Sequence, residues 1–474
     1  MTDLVDLDFS SAVQQVTWVA SGECSARDLV EHSLAKIARL DPLLNAFAFV
    51  RWEEARREAD ELDAELASRG PRGPLHGLPI AIKEENDVAG IPTQFGGGAN
   101  DIAAREDSEV VRRLRAAGAV VIGTTRMPEF GIWPYTESVA HGWTRNPWDL
   151  HRSTAGSSGG TAAAVASGMV AVGIGGDGGG SIRLPSSWCG LFGLKPQRGR
   201  VSLAPNADLW RSLGVIGPLA RSVEDSALVY DVISGSTATD RFSAGPMAST
   251  MLDAARTPLS RRLRIMVSAK NPMGGPAADS DTLAALHSTA DELRRLGHEV
   301  IDADPDYPSL GLPFQVQVAA GVRDEVRRVA HPEFLEQRTR TLLKLTGVGA
   351  RLGRWGERTG RRRGARFLET LFSQIDLLLM PTTPTAALPI GQLDGVGALA
   401  ATRKASGTAS FTSMWNVCGN PAASVPAGFT ESGLPLSVQV VGPTDGEPLV
   451  LALSAELEAA RPWAQRRPPA AVLR

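Results

Sequence analysis

Apolar residues recur at helical spacing through residues 10–67, and the repeat predicts helices there. Within it, Ser25-Ala26-Arg27-Asp28 has the form of a capping box, in which the serine accepts from the backbone and the aspartate reaches back. Val30, Leu34 and Ile37 follow on the face such a helix buries. Residues 51–69 are so densely charged that they predict a solvated helix rather than an anion site. The pattern changes at Leu78-Pro79-Ile80-Ala81-Ile82, an apolar run that predicts a short buried strand ending at Lys83. Gly96-Gly97-Gly98 marks a loop. Ser108 then opens a helix that buries Val110, Val111 and Leu114 and stops at Gly118, and residues 119–122 return to strand. Strand alternating with helix is the rhythm of an α/β fold.

That rhythm resumes downstream. Residues 263–267 predict a strand, 279–296 a helix with Leu283, Leu286, Leu293 and Leu296 inward, and 299–301 another strand. Residues 305–366 are arginine-rich and mostly helical by pattern, densest at Arg361-Arg362-Arg363. Strands return near Leu377 and Val438, and 448–460 closes with a helix. No repeat, low-complexity tract or linker divides the chain, so a single domain over 1–474 is expected.

Composition narrows the class. The chain has 474 residues, 43% hydrophobic, with a formal net charge of −3, which is ample for a core and offers no basic excess for nucleic acid. The arginine run therefore reads as a solvated helical cap, and no apolar stretch is long enough to predict a membrane span. Cys24, Cys189 and Cys418 are widely spaced and lack a metal-binding pattern, as reduced thiols would be. Cys189 reads as a small core residue rather than a nucleophile. Asp3, Asp6 and Asp8 stand where a secretory leader would be basic, so a cytoplasmic protein is expected.

Residues 152–196 are crowded with glycine, alanine and serine, and their only acid is Asp177. Gly173-Ile174-Gly175-Gly176-Asp177-Gly178 spells a dinucleotide fingerprint, but that motif needs a helix at once, and Pro185 stops a long one from growing. Gly156-Ser157-Ser158-Gly159-Gly160 spells a nucleophile elbow centred on Ser158. A helix from Thr161 fits it, whereas residues 148–153 read as loop, and no histidine follows His331. A third reading joins both serine clusters, the second being Gly178-Gly179-Gly180-Ser181, to Lys83, whose charge burial could remove. Against it stands a plain ion pair of Lys83 with Glu84 or Glu85. Asp177 and Arg183 bracket Ser181 and are expected to pair, because lone charges are rare in so apolar a stretch.

Residues 152–196, together with Gly77-Leu78-Pro79-Ile80-Ala81-Ile82-Lys83, resemble the hallmark motifs of the amidase signature family. The resemblance extends to Leu377-Leu378-Leu379-Met380-Pro381-Thr382, to Asn420-Pro421-Ala422-Ala423-Ser424-Val425-Pro426, and to Gly433-Leu434-Pro435 with Ser437-Val438-Gln439. It implies an α/β fold with a large mixed, mostly parallel twisted sheet surrounded by helices. One amidase domain would span 1–474, with a variable, mostly helical insertion at about 236–370 where family motifs are missing. It also implies that Ser181 is the nucleophile, Ser157 a bridging serine in a cis peptide and Lys83 the base. The N–H groups of Gly178, Gly179, Gly180 and Ser181 would form the oxyanion hole, with Ser158 supporting the loop. The loop 127–133 would lie over the site, with Gly131, Phe130 and Trp133 against substrate. Trp188, Trp210 and Trp415 could also line an apolar pocket, though each reads equally well as core.

The sequence departs from the family pattern at Gly176, where threonine is usual, at Gly178, often larger, and at Ala155, usually glycine. Gly123-Thr124-Thr125-Arg126 also replaces a commoner Gly-Lys-Thr-Asn start. None removes a group of the implied triad. The implied reaction is hydrolysis of a small-molecule amide, or an ester, through an acyl-serine, with no metal or cofactor, no nucleic acid and no membrane. A homodimer is compatible with it. His76 and His141 would be structural. The alternatives are the glutaminase-like subunit of a tRNA-dependent amidotransferase, for which no set of residues for free glutamine is visible, and a catalytically dead binding protein.

Overall fold

The apolar runs become the strands of one sheet. In chain order they are β1 (Phe47–Val50), β2 (Pro79–Lys83), β3 (Val120–Thr125), β4 (Val172–Asp177), β5 (Phe192–Lys195) and β6 (Val215–Ala220). Then come β7 (Arg264–Val267), β8 (Glu299–Asp302), β9 (Leu377–Pro381), β10 (Ala422–Phe429) and β11 (Pro435–Val441). The computed structural model describes residues 6–473, so Asp3 lies outside the described residues. The 11 strands lie in the order β1-β3-β2-β4-β6-β5-β10-β11-β9-β7-β8.

A large mixed sheet surrounded by helices is what the sequence led one to expect, but its mostly parallel character needs correction. Pairing is parallel at β3-β2-β4 and at β9-β7-β8. The other six pairings are antiparallel. The cause is visible at β10 and β11, where a tight turn closed by Gly433 N–H on Thr430 O at 2.9 Å can only send the chain back antiparallel.

Both faces of the sheet are covered, and alternate residues show it. Ile80, Ile82 and Val121 join one buried cluster with Leu228, Leu286 and Leu453. Ala81, Val120 and Ile122 join another with Leu34, Ile37 and Leu62. Side chains of a strand point alternately to opposite faces, so a strand buried on both reads as a continuous apolar run. Each large aliphatic side chain so buried contributes about 1.5–3 kcal/mol. The predicted capping box is present. Ser25 accepts from Asp28 N–H and Ser25 N–H donates to the Asp28 carboxylate at 2.9 Å, opening the helix Ala26–Leu44.

Two local expectations change. Residues 10–67 are not wholly helical, because β1 interrupts them and pairs with β3. Residues 148–153 are not a loop, because Asp149–Ser153 is a strand in a small ribbon with Arg145–Asn146. The helix after the second glycine cluster, Arg183–Cys189, is short, with Pro185 in its first turn, where a proline needs no amide hydrogen. Residues 236–370 supply β7 and β8 to the common sheet, and also the helices Gly311–Val326 and Gly353–Phe372. No helix among the described residues is long and apolar enough to cross a membrane.

The topology positions the site. β2 and β4 are parallel neighbours, with Ile82 opposite Ile174, so their C-terminal ends emerge on the same edge. Lys83 ends one and Asp177 ends the other, which puts Lys83 beside the loop carrying Ser181. Crevices at such strand ends are where open α/β sheets bind ligands.

Candidate active site

Lys83 is only 1% exposed, and its Nζ donates to Ser157 Oγ at 2.7 Å. The same Nζ lies 3.1 Å from Glu85 Oε1, so the serine contact and the ion pair weighed as alternatives occur together. Burial holds the Lys83 pKa below the usual lysine range, with Glu85 foremost among the groups opposing that shift and Asp177 and Glu84 behind it. Glu84 does not take the pairing role: it accepts from Met127 N–H at 3.0 Å, and burial pushes its pKa up to about 7.

Two glycines make this arrangement possible. A Cβ at Gly176 would overlap the Glu85 carboxylate, so the residue standing in place of a threonine leaves the room that Glu85 occupies. Gly131 has φ +66°, which favours glycine, and a Cβ there would lie 3.0 Å from Ser157 Oγ. The loop 127–133 therefore reaches the serine as expected. Phe130 stacks on Phe95 at 5.8 Å between ring centroids and lines a cavity with Glu85, Trp210 and Glu325. Trp133 does not line it. It packs in the core with Tyr135, Leu184 and Trp188 and is 2% exposed, and Gly131 is likewise absent from the cavity lining. Trp188 and Trp415 are fully buried, whereas Trp210 lines the cavity.

Ser157 follows the ribbon strand, across a cis Gly156–Ser157 peptide bond. Ser158 is fully buried, and its Oγ binds Gly176 O at 3.2 Å and Gly176 N–H at 3.3 Å. A strand precedes it and the helix Gly159–Ala166 follows, yet no imidazole is bonded to that hydroxyl among the described residues, so the elbow lacks its base. Ser158 N–H donates to Ser181 O at 3.3 Å, tying the two serine loops together. Ser181 is 8% exposed. Its Oγ makes no hydrogen bond to Ser157 among the described residues, so the link between these loops is through the backbone.

The turn that carries Ser181 is held by a buried ionic cluster. Arg183 Nε meets Asp177 Oδ2 at 2.9 Å, with both side chains fully buried, as the bracketing charges led one to expect. Asn416 Nδ2 donates to Asp177 Oδ1 at 2.8 Å, while Arg183 Nη1 reaches Gln439 Oε1 at 2.7 Å. Burial works against ionising Asp177, but Arg183 and Asn416 outweigh it and hold the pKa at about 2. Asp177 Oδ1 also takes Gly180 N–H at 2.7 Å. The expected set of four oxyanion donors is therefore corrected: Gly180 N–H is already spent, leaving the N–H groups of Gly178, Gly179 and Ser181 as candidates. Trp210 packs against Gly178 and Phe314 against Gly179, which brings the 236–370 region to the loop.

The sequence reading missed Asn416, Phe314 and Glu325, which arrive from distant segments and leave no local signal. Gln439 lay within a quoted motif without a role.

Comparison with known proteins finds amidases and amide hydrolases of similar sequence and fold. The Amidase family profile matches residues 28–451. The chain belongs to the amidase signature family. It is 44% identical to the putative amidase AmiB2 of Mycobacterium tuberculosis, covering 98% of this chain and 99% of that one. The solved structure of 6-aminohexanoate cyclic dimer hydrolase complexed with substrate superposes with a TM-score of 0.89 at 33% identity, covering 99% and 100% of the two chains. A bacterial aryl acylamidase superposes at 0.86 with 27% identity, covering 97% and 98%. This amidase is an amide hydrolase, which sets the amidotransferase-subunit alternative aside.

Proposed function

We propose that the chain hydrolyses small-molecule amides through an acyl-enzyme on Ser181, with Ser157 and Lys83 as a proton relay. The observation that carries this reading is the buried 2.7 Å contact of Lys83 Nζ with Ser157 Oγ, on a loop tied to Ser181. A serine hydroxyl is a poor nucleophile until a neighbour takes its proton. Neutral Lys83 accepts the proton of Ser157 as Ser157 accepts that of Ser181, and the Ser181 Oγ–carbon bond forms. The carbonyl oxygen takes the negative charge, facing the N–H groups of Gly178, Gly179 and Ser181. When the C–N bond breaks, the proton returns through Ser157 to the leaving nitrogen, and ammonia or an amine departs. Water then attacks the ester by the same relay, releasing the acid and restoring Ser181. Esters fit the same steps with an easier leaving group.

The proposal includes one amidase domain over 1–474 and a cytoplasmic setting, the latter supported by three cysteines that are all free. Gly131 and Phe130 are its substrate contacts. The test is release of ammonia or aniline from butyramide, benzamide and acetanilide, with hydroxylamine added to trap the acyl group as a hydroxamate. Hydroxamate formation by the wild-type protein and its loss in Ser181→Ala are expected. Undiminished turnover by Ser181→Ala contradicts the proposal.

A further inference from the structure

The arginines that stood apart from the amidase reading converge on a cleft. Arg354, Arg358, Arg361 and Arg362 project from the helix Gly353–Phe372, and Arg198 and Arg241 join them from loops elsewhere in the chain. Together they line a space of about 570 Å³. The helix arginines remain exposed, but Arg198 and Arg241 bring charge from two other segments to the same hollow. The Phe242 ring sits among them, its centroid 5.4 Å from the Arg198 guanidinium carbon, 5.1 Å from that of Arg241 and 4.9 Å from that of Arg361.

The protein does not supply matching negative charge. Glu357 is the one carboxylate in the lining; it pairs with Arg241 Nη2 at 2.6 Å and lies 3.8 Å from Arg361 Nη1. Arg241 also pairs with Asp208 outside the lining. Arg354, Arg358 and Arg362 have no carboxylate partner among the described residues. Arg198 is half-buried and donates only to carbonyls, those of Ser212, Asn416 and Val417. Burial first, and then Arg361, pulls its pKa down to about 10, so it stays charged near neutral pH. Cys418 at the floor is no hidden anion, because burial pushes its thiol up to about 12 even with Arg198 close by.

Crowded guanidinium groups repel unless an anion lies between them. Their planar forks match phosphate oxygens in pairs; Arg198 spends Nε and Nη2 on three carbonyls, which fixes its guanidinium and leaves Nη1 for an anion. The cleft volume falls within the range of small-ligand sites, roughly 300–1,000 Å³. A net charge of −3 over the whole chain argues against a general polyanion surface.

We propose that this cleft binds a phosphate chain, either inorganic or the tail of a nucleotide. The cleft lining includes none of Lys83, Ser157 and Ser181, so the proposal stands or falls without the amidase mechanism.

The test is calorimetric titration of the full chain with sodium tripolyphosphate, ATP and sodium acetate at matched ionic strength. One saturable site for tripolyphosphate, with none for acetate, is expected. Equal affinity for ATP assigns recognition to the phosphates alone, and tighter binding of ATP assigns the nucleotide as the ligand; both support the site. Arg358→Glu with Arg362→Glu changes exposed residues outside the catalytic machinery and is expected to weaken binding by at least about tenfold. Arg358→Lys with Arg362→Lys keeps the charge and removes the forks, so an intermediate affinity is expected. Absence of saturable binding to the wild type, or equal binding by wild type and the double Glu variant, overturns the proposal.

Discussion

Glu85 lies beside the proposed base, and its removal gives a prediction with a definite sign. Glu85→Gln keeps the shape of the side chain and deletes its charge. At the 3.1 Å separation of Lys83 Nζ and Glu85 Oε1, an effective dielectric of about 20 gives an attraction on the order of 5 kcal/mol between the full charges. Part of this is offset by hydration, since the Glu85 side chain retains 14% exposure. Carboxylates near a cation typically move its pKa by about 1–3 units, each worth about 1.4 kcal/mol. Glu85 raises the Lys83 pKa against the lowering caused by burial, so deleting its charge lets that pKa fall further. Glu84 and Asp177 also face Lys83 and remain in the variant, which limits the change. A relay that needs neutral lysine is active above the lysine pKa. The rising limb of kcat/KM against pH should therefore shift to lower pH by about one unit or more, with at least roughly tenfold more activity at its foot. The assay is amide turnover from pH 5 to 10 with both proteins folded at each pH. An unshifted limb, or a shift to higher pH, refutes the assignment of Lys83 as the base that Glu85 tunes.

Two further variants test the surroundings of the relay. Gly131→Ala places a Cβ 3.0 Å from Ser157 Oγ at a positive φ. It should cut kcat about 100-fold through misplaced reacting groups while thermal melting shows the fold retained, and wild-type kcat would contradict the close approach. Asp177→Ala leaves Arg183 buried and unpaired, which should cost about 3–5 kcal/mol in urea unfolding. In the native protein the Asp177 pKa lies at about 2, below its ordinary 3.8, so its contribution is complete above pH 3.8 and fades as pH falls toward 2. Urea midpoints of wild type and variant should accordingly converge over that window, and a constant gap would show that the charge is not what stabilises the turn.

Periodicity revealed β2, β3, β7, β8, β9 and β11 because a strand writes its neighbours' faces into local spacing, whereas β4, β5, β6 and β10, buried but interrupted by glycine or proline, went unread. β1 escaped it because four residues, Phe47–Val50, sit between two long helical repeats and carry too short an alternation. The strand Asp149–Ser153 escaped because it lies in a half-buried two-stranded ribbon and carries charge and histidine around a single apolar residue, Leu150. Strand direction has no periodic signature, so the antiparallel middle of the sheet was invisible from composition. At the site, Asp177 and Arg183 were legible because they are near neighbours in an apolar stretch. Lys83 was ambiguous because its serine partner is 74 residues away whereas its carboxylate partner is two. Spacing alone could not join them, and the family resemblance did. Asn416, Phe314 and Trp210 reach the glycine loop only through tertiary packing, and Gly180 lost its donor role to a contact that no glycine pattern announces.

The most direct test of the account is intact-mass measurement after fluorophosphonate labelling of wild type, Ser181→Ala and Ser158→Ala. With Ser181 as the nucleophile, a single adduct forms on wild type and on Ser158→Ala, and none on Ser181→Ala. An adduct that persists on Ser181→Ala and disappears from Ser158→Ala would contradict it and move the nucleophile to the elbow.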